Sequence, residues 1–113
     1  RFQGLPMLSD RAVMETAVRL AQAASQPARV IVFGSYARGD ADEGSDLDLM
    51  VIEDTVPDKA SEYLKLREAV GSMPVGIDLL LFTPHDFERR SLVPGTLPYW
   101  ARKEGKVLHE PTV

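Results

Sequence analysis

The sequence contains no cysteine, which excludes a disulfide framework and any metal site built on thiolates. It has no apolar run long enough to span a bilayer, and no secretory signal pattern opens it. We therefore expect a cytoplasmic protein without a membrane partner.

The chain also lacks an excess of basic residues. Its 13 Lys and Arg are outnumbered by 17 Asp and Glu, so the formal net charge is −4. Proteins that hold long nucleic acid by its backbone usually present a basic surface, and no long nucleic acid is expected as a partner. A small phosphate ligand is not excluded, because it needs only a local positive site.

Length and composition indicate one compact domain. The 113 residues are 44% hydrophobic and 27% charged, an ordinary balance for a globular protein. No internal repeat, linker or low-complexity tract divides them. We interpret residues 1–8 as a leader or tag-like segment and residues 9–113 as the domain.

Hydrophobic periodicity predicts a mixed sheet covered by helices, hence a single α/β (α+β) domain. The predicted helices cover residues 11–25, 59–73, 84–91 and 98–103. The predicted strands cover residues 29–33, 45–53, 75–82 and 106–109. Glu62, Lys65, Arg67 and Glu68 are interpreted as a solvated helix face. Tyr99 and Trp100 are interpreted as core or interface aromatics, with base stacking as the less favoured alternative.

A Gly-Ser turn follows the first predicted strand and indicates a phosphate site. Gly34 lets a ligand approach the backbone, and a short helix opening there would add its positive dipole end. Ser35 supplies a hydroxyl, and Arg38 supplies a charged fork that suits phosphate oxygens. Ser45 is also predicted to bind nucleotide, although alone it is equally well a turn hydroxyl.

Three aspartates indicate a site for hard divalent cations. Asp46 and Asp48 are two residues apart on a predicted strand, so their side chains share a face roughly 6.6 Å apart along the backbone. Asp78 interrupts an otherwise apolar strand, where an ionised carboxylate is costly unless it is paired or bound to metal. Carboxylates beside a phosphate suit Mg²⁺, and two such ions can clamp the oxygens of an in-line displacement.

The segment from Gly34 to Leu49 resembles the signature of the DNA polymerase β-like nucleotidyltransferase superfamily: Gly-Ser, a short gap, then Asp-x-Asp. Within it the chain is similar to the minimal nucleotidyltransferases, the MNT antitoxins paired with HEPN toxins. The resemblance implies that Gly34 and Ser35 hold the triphosphate, that Asp46 and Asp48 bind both metal ions, and that Asp78 binds the catalytic one.

The resemblance also implies a polymerase-β-like fold, ATP as substrate, two Mg²⁺ ions (Mn²⁺ as an alternative) and a small helical HEPN-type toxin as partner. The expected reaction is transfer of AMP to a hydroxyl of that partner, with assembly as a homo- or hetero-oligomer. Two other functions stay open. One is a non-catalytic antitoxin that covers its partner; the other is a subunit of a small-molecule nucleotidyltransferase, which usually carries an added helical domain.

Overall fold

The computed structural model describes residues 7–111. Within that range four strands form one sheet in the order β3-β2-β1-β4: β1 (Ala28–Phe33), β2 (Leu47–Glu53), β3 (Ile77–Phe82) and β4 (Lys106–His109). β1 is antiparallel to both β2 and β4, whereas β2 and β3 are parallel. The helices are α1 (Asp10–Ala23), α2 (Ser35–Arg38), α3 (Lys59–Val70), α4 (Pro84–Ser91) and α5 (Leu97–Glu104). The predicted mixed α/β (α+β) fold is confirmed.

Each face of the sheet has its own apolar core, because side chains along a strand alternate between faces. The first core joins α1 and α3 to strand residues such as Val30 and Leu49, with Leu66 as a contribution of α3. The second core joins Phe33 and Met50 to α4 and α5, with Phe87 and Ala101 as the helix contributions. Asp48 and Asp78 have the strand parity of Met50 and Leu80, so their side chains belong to this second face.

Three predicted boundaries near the candidate site were wrong. The second long helix ends at Val70 rather than Met73, because Gly71 takes φ 71°, which an L-residue rarely adopts, and its amide bonds back to Arg67 O. The second and third strands begin two residues later than predicted, so Asp46 and Gly76 lie in the loops before them. The amide of Leu47 still donates to Gly76 O over 2.8 Å, which holds those loops side by side.

Leu8 belongs to the first core, where it is 9% exposed and its amide donates to the Tyr36 hydroxyl over 3.1 Å. Met7 of the predicted leader is 47% exposed, whereas residues 1–6 and 112–113 lie outside the described residues. No helix between residues 7 and 111 is both long and apolar enough to cross a bilayer.

Candidate active site

Strand pairing brings the predicted site residues to one end of the sheet. Asp48 lies opposite Phe33 on β1 and opposite Asp78 on β3. Gly34 directly follows Phe33, so the Gly-Ser turn, Asp48 and Asp78 come from three adjacent strands. Two carboxylates and a backbone turn therefore meet although 44 positions of sequence numbering separate Gly34 from Asp78.

Two glycines make room for the carboxylates. Gly34 has φ 73°, and a Cβ built there would overlap the Oδ2 atom of Asp48. A Cβ on Gly76 would overlap the Oδ1 atom of Asp46 in the same way. Each aspartate thus packs against bare backbone, and Gly34 is required there both by close approach and by its positive φ.

Asp48 is half-buried, and its charge is poorly compensated. The pKa of Asp48 is raised from its usual 3.8 to about 6, chiefly by burial. A hydrogen bond with Asp78 and the repulsion between the two carboxylates act in the same direction. Repulsion from Asp46 acts in the same direction, while Arg38 opposes it. A carboxylate in this position is stabilised by a cation among the acids, which the hard oxygen donors of the three aspartates would suit.

Asp46 is positioned differently from the other two. It is exposed, and its carboxylate points at Gly76, whereas that of Asp48 lies beside Gly34 and Asp78. In the part of the chain that the structure describes, no three acidic or histidine side chains stand close enough together to hold one ion. Mutual repulsion favours this separation and a divalent cation would favour convergence, so a shared three-aspartate site stays a prediction.

We expect calorimetry with Mg²⁺ or Mn²⁺ and ATP to show divalent binding that needs Asp46, Asp48 and Asp78. The Asp46→Asn, Asp48→Asn double variant removes two charges from one cluster and should lose that binding. The Glu43→Gln, Glu68→Gln variant removes two charges from exposed side chains that make no ion pair among the described residues, and it is the matched control. If a folded Asp46→Asn, Asp48→Asn variant bound metal as well as the wild type does, the prediction of a metal site at these aspartates would be wrong.

The phosphate turn has the predicted form. Gly34 precedes α2, and the helical bonds begin with the amides of Ala37 and Arg38 donating to Gly34 O. The amides of Ser35 and Tyr36 come before those bonds, as in any first helical turn. Such amides, with the Ser35 hydroxyl, can donate to phosphate oxygens.

Arg38 leaves the turn as an exposed guanidinium shared between two carboxylates. Its Nε lies 3.2 Å from Asp40 Oδ2, and its Nη1 lies 2.9 Å from Glu104 Oε1 on α5. The two carboxylates hold the guanidinium beside a cavity of about 390 Å³. Its lining residues include Gly34, Arg38, Asp48 and Glu104.

Trp100 is not a core aromatic. It is 41% exposed and lines the same 390 Å³ cavity, with Leu97 on the preceding turn of α5. The core alternative is wrong because α5 lies against the sheet through Ala101, which turns Trp100 away from the core. The interface alternative stays a prediction. Leu97 and Glu104, both part of the cavity wall, carried no signal in the sequence, since only the packing of α5 brings them there.

We expect Arg38→Ala to weaken ATP binding, because the variant loses a charged donor that suits phosphate oxygens. Arg29→Ala is the matched control, because Arg29 is similarly exposed and pairs with Glu110 at 2.9 Å. Titration of both variants with ATP measures the difference. If Arg38→Ala bound ATP with unchanged affinity, Arg38 would be a surface charge that does not contact the nucleotide.

Ser45 is already engaged within its own loop. Its hydroxyl accepts from the amide of Asp42 over 2.9 Å and donates to Asp42 Oδ1 over 3.1 Å. These bonds close the loop that leads into β2 and position Asp46. A direct contact between Ser45 and nucleotide stays a prediction.

A second cavity adjoins the acids, and a third is remote from them. The second, of about 510 Å³, is lined by Asp48 and Asp78 together with Tyr63 and Arg67 of α3. Arg67 is half-buried and donates to Ile77 O over 2.8 Å, so its assignment to a solvated face was wrong. The third, about 590 Å³ near Ile52 and Phe87, is larger than these two but is lined by none of the predicted site residues, and we give it no part in the chemistry.

Comparison with known proteins agrees with this geometry. The profile of the nucleotidyltransferase domain family matches residues 14–106. Two proteins of Methanocaldococcus jannaschii, both provisionally named protein adenylyltransferases, are similar in sequence. One is 36% identical over 70 residues (58% of this chain, 48% of its own length), and the other is 59% identical over 53 residues (47% and 52%). The chain spans about half the length of these curated relatives.

Solved structures share the fold at low sequence identity. A protein of Sulfolobus solfataricus, provisionally named a nucleotidyltransferase, superposes with a TM-score of 0.61 at 16% identity, over 88% of this chain and 78% of that one. A toxin–antitoxin complex with AMP-PNP gives 0.61 at 17% identity, over 88% and 74%. The match across the sheet and its acidic end shows that this chain belongs to the nucleotidyltransferase domain family.

Proposed function

We propose that this domain is a protein adenylyltransferase, which transfers AMP from ATP to a hydroxyl of a partner protein. The observation that carries the proposal is the pairing of Asp48 with Asp78 on adjacent strands, beside a Gly-Ser turn that opens a helix. Acids, the Gly34 backbone and Arg38 line two cavities of about 510 and 390 Å³ that share Asp48 in their walls. The names of the two curated relatives support the same reaction.

Each residue then has a distinct role. Ser35 and the first amides of α2 bind the distal phosphates, and Arg38 balances their charge. Asp46 and Asp48 would hold two Mg²⁺ ions and Asp78 the catalytic one. When bound, these ions supply charge neutralisation for the phosphoryl oxygens. Asp78, on the end strand of the sheet, would accept the proton of the incoming hydroxyl.

A protein acceptor fits the size and charge of the domain. The net charge of −4 gives little attraction for a nucleic acid backbone. A folded partner can orient its own hydroxyl, so the domain needs no separate small-molecule pocket. The toxin–antitoxin assemblies among the structural neighbours suggest the partner class, and we propose a small helical HEPN-type toxin that this domain neutralises by modification.

The test is the mass of the partner encoded beside this gene, after incubation with ATP and Mg²⁺. We expect a rise by one or more AMP units with the wild type. We expect no rise with the Asp46→Asn, Asp48→Asn variant, which should still bind the partner. A wild type that protects cells without any mass change, and a variant that protects equally well, would establish the non-catalytic antitoxin instead.

A further inference from the structure

One face of α5 borders the candidate active site and carries an exposed aromatic residue. Leu97, Trp100 and Glu104 follow one another at helical spacing, so their side chains lie along one face of α5. All three line the 390 Å³ cavity together with Asp48. The helix is held against the sheet through Ala101, which is buried. α5 therefore forms a fixed wall of this cavity, and the indole of Trp100 is part of the lining.

The lining of the 390 Å³ cavity combines two kinds of surface. The polar part includes the Gly34 backbone, Arg38 and Asp48, the groups assigned above to phosphate and cation. The apolar part is made by three side chains: Phe33, Leu97 and Trp100. A nucleoside triphosphate has the same two parts, because its charged phosphates are joined through the ribose to a flat base with apolar faces. The cavity therefore matches the chemistry of a whole nucleotide rather than that of its phosphates alone.

The indole is restrained but remains partly open to solvent. The rings of Trp100 and Tyr99 are nearly perpendicular, at 82°, with their centroids 5.2 Å apart. This contact holds the indole in place, yet Trp100 stays 41% exposed. An aromatic side chain that is already restrained loses little conformational freedom when it binds a ligand. Trp100 thus offers a preorganised aromatic surface to a planar group in the cavity.

The position of the phosphate turn selects this cavity for the base. The 510 Å³ cavity also contains Asp48, but Asp78, which the proposed reaction uses to accept the proton of the incoming hydroxyl, lines that cavity alone. The Gly34 turn lines only the 390 Å³ cavity of the two. Leu92 and Val93, between α4 and α5, are more exposed than Trp100 and line neither cavity. A general apolar surface therefore does not explain why Trp100 lies beside the phosphate turn.

We propose that Trp100 stacks on the nucleobase of the bound triphosphate. The inference rests on the proposed function, because it names how the donor nucleotide of that transfer is held. Every base has a π face, so stacking on an aromatic side chain contributes affinity with little choice among bases. Trp100 therefore favours a nucleoside triphosphate over a triphosphate that has no base.

The first test compares a non-hydrolysable ATP analogue with inorganic tripolyphosphate, which has the phosphates but no base. Calorimetry in Mg²⁺ measures both affinities. We expect Trp100→Ala to bind the analogue about tenfold or more weakly than wild type, and tripolyphosphate within about twofold of wild type. Trp100→Phe keeps an aromatic ring and should lose less affinity for the analogue. Leu92→Ala is the matched control, because it removes exposed apolar surface outside the cavity.

The second test uses the fluorescence of the protein itself, since Trp100 is the only tryptophan in the sequence. A base stacked on the indole quenches its emission. The ATP analogue should quench the emission over the concentration range in which calorimetry shows it to bind. Tripolyphosphate should leave the emission nearly unchanged. An emission that the bound analogue does not alter overturns the proposal.

AMP transfer to the partner protein, measured on the same preparations, separates this inference from the proposed function. Equal affinity of wild type and Trp100→Ala for the analogue, or equal weakening of both ligands, overturns stacking and leaves the proposed function intact. Weaker binding of the partner with unchanged nucleotide affinity assigns Trp100 to the partner interface and also overturns stacking. Selective loss of the analogue, without AMP transfer by wild type to any protein, supports stacking and overturns the proposed function. A wild type that binds neither ligand overturns both.

Discussion

Gly34→Ala is expected to reduce AMP transfer by about 10²-fold or more, because a Cβ at Gly34 would occupy the position of the Asp48 carboxylate. Gly34 also has φ 73° and ψ −152°, a region that is essentially restricted to glycine. Some loss of stability, on the order of 1–3 kcal/mol, should accompany the loss of transfer. Steady-state AMP transfer and urea unfolding measure the two effects.

Gly71→Ala is the control that introduces similar backbone strain without displacing the Asp48 carboxylate. Gly71 has nearly the same backbone angles, φ 71° and ψ −155°, and a Cβ there would meet nothing within 4 Å. Both variants should therefore lose similar stability, and only Gly34→Ala should lose transfer beyond what unfolding explains. Equal activity of the two variants would show that the position of Asp48 does not limit the reaction.

Glu53→Gln is expected to stabilise the domain above neutral pH by on the order of 3 kcal/mol. Glu53 ends β2 and is fully buried; its Oε1 accepts from the amide of Gln26 over 3.3 Å. As a carboxylate its Oε2 finds no donor among the described residues, whereas a protonated Glu53 would donate to Glu62 on α3. Burial and the neighbouring Glu62 raise the pKa of Glu53 from 4.5 to about 7, although the hydrogen bond from Gln26 and the charge of Lys65 act to lower it.

The direction of the pH effect follows from these pKa values. Between about pH 4.5 and 7 the folded chain keeps a proton on Glu53 that the unfolded chain has released, so stability falls as pH rises. Glu62 acts oppositely. Its own burial is outweighed by hydrogen bonds from Glu53 and Ser25 and by Lys65, which lower its pKa to about 2. Its stabilisation is therefore lost as pH falls from about 4.5 to 2.

Urea unfolding from pH 5 to 8 tests the effect. Glu53→Gln should show a shallower decline from pH 5 to 7 than wild type, because the decline due to Asp48 remains in both proteins and cancels in their difference. Glu88→Gln makes the same charge change on an exposed side chain paired with Arg102, so it is the control. A decline in Glu53→Gln as steep as that of wild type would mean that Glu53 stays ionised in the folded protein.

Local patterns in the sequence determined the element types and the identity of the candidate site. Alternation and apolar runs predict the strands, since burial on one or two faces acts residue by residue. The Gly-Ser turn and the Asp46-x-Asp48 pair are close in sequence, so their spacing alone indicates phosphate and cation chemistry. Asp78 could be predicted because a charge inside an apolar strand requires a partner.

What only the tertiary structure decided depends on contacts between distant segments. Strand order and register place Asp78 beside Asp48 on an end strand of the sheet, and the packing of α3 and α5 turns Arg67 and Trp100 toward the cavities. The same packing encloses Glu53 against Glu62. Periodicity reports how each segment is buried but not which segment covers it, because many pairings satisfy the same apolar faces. Only the folded chain selects one of them.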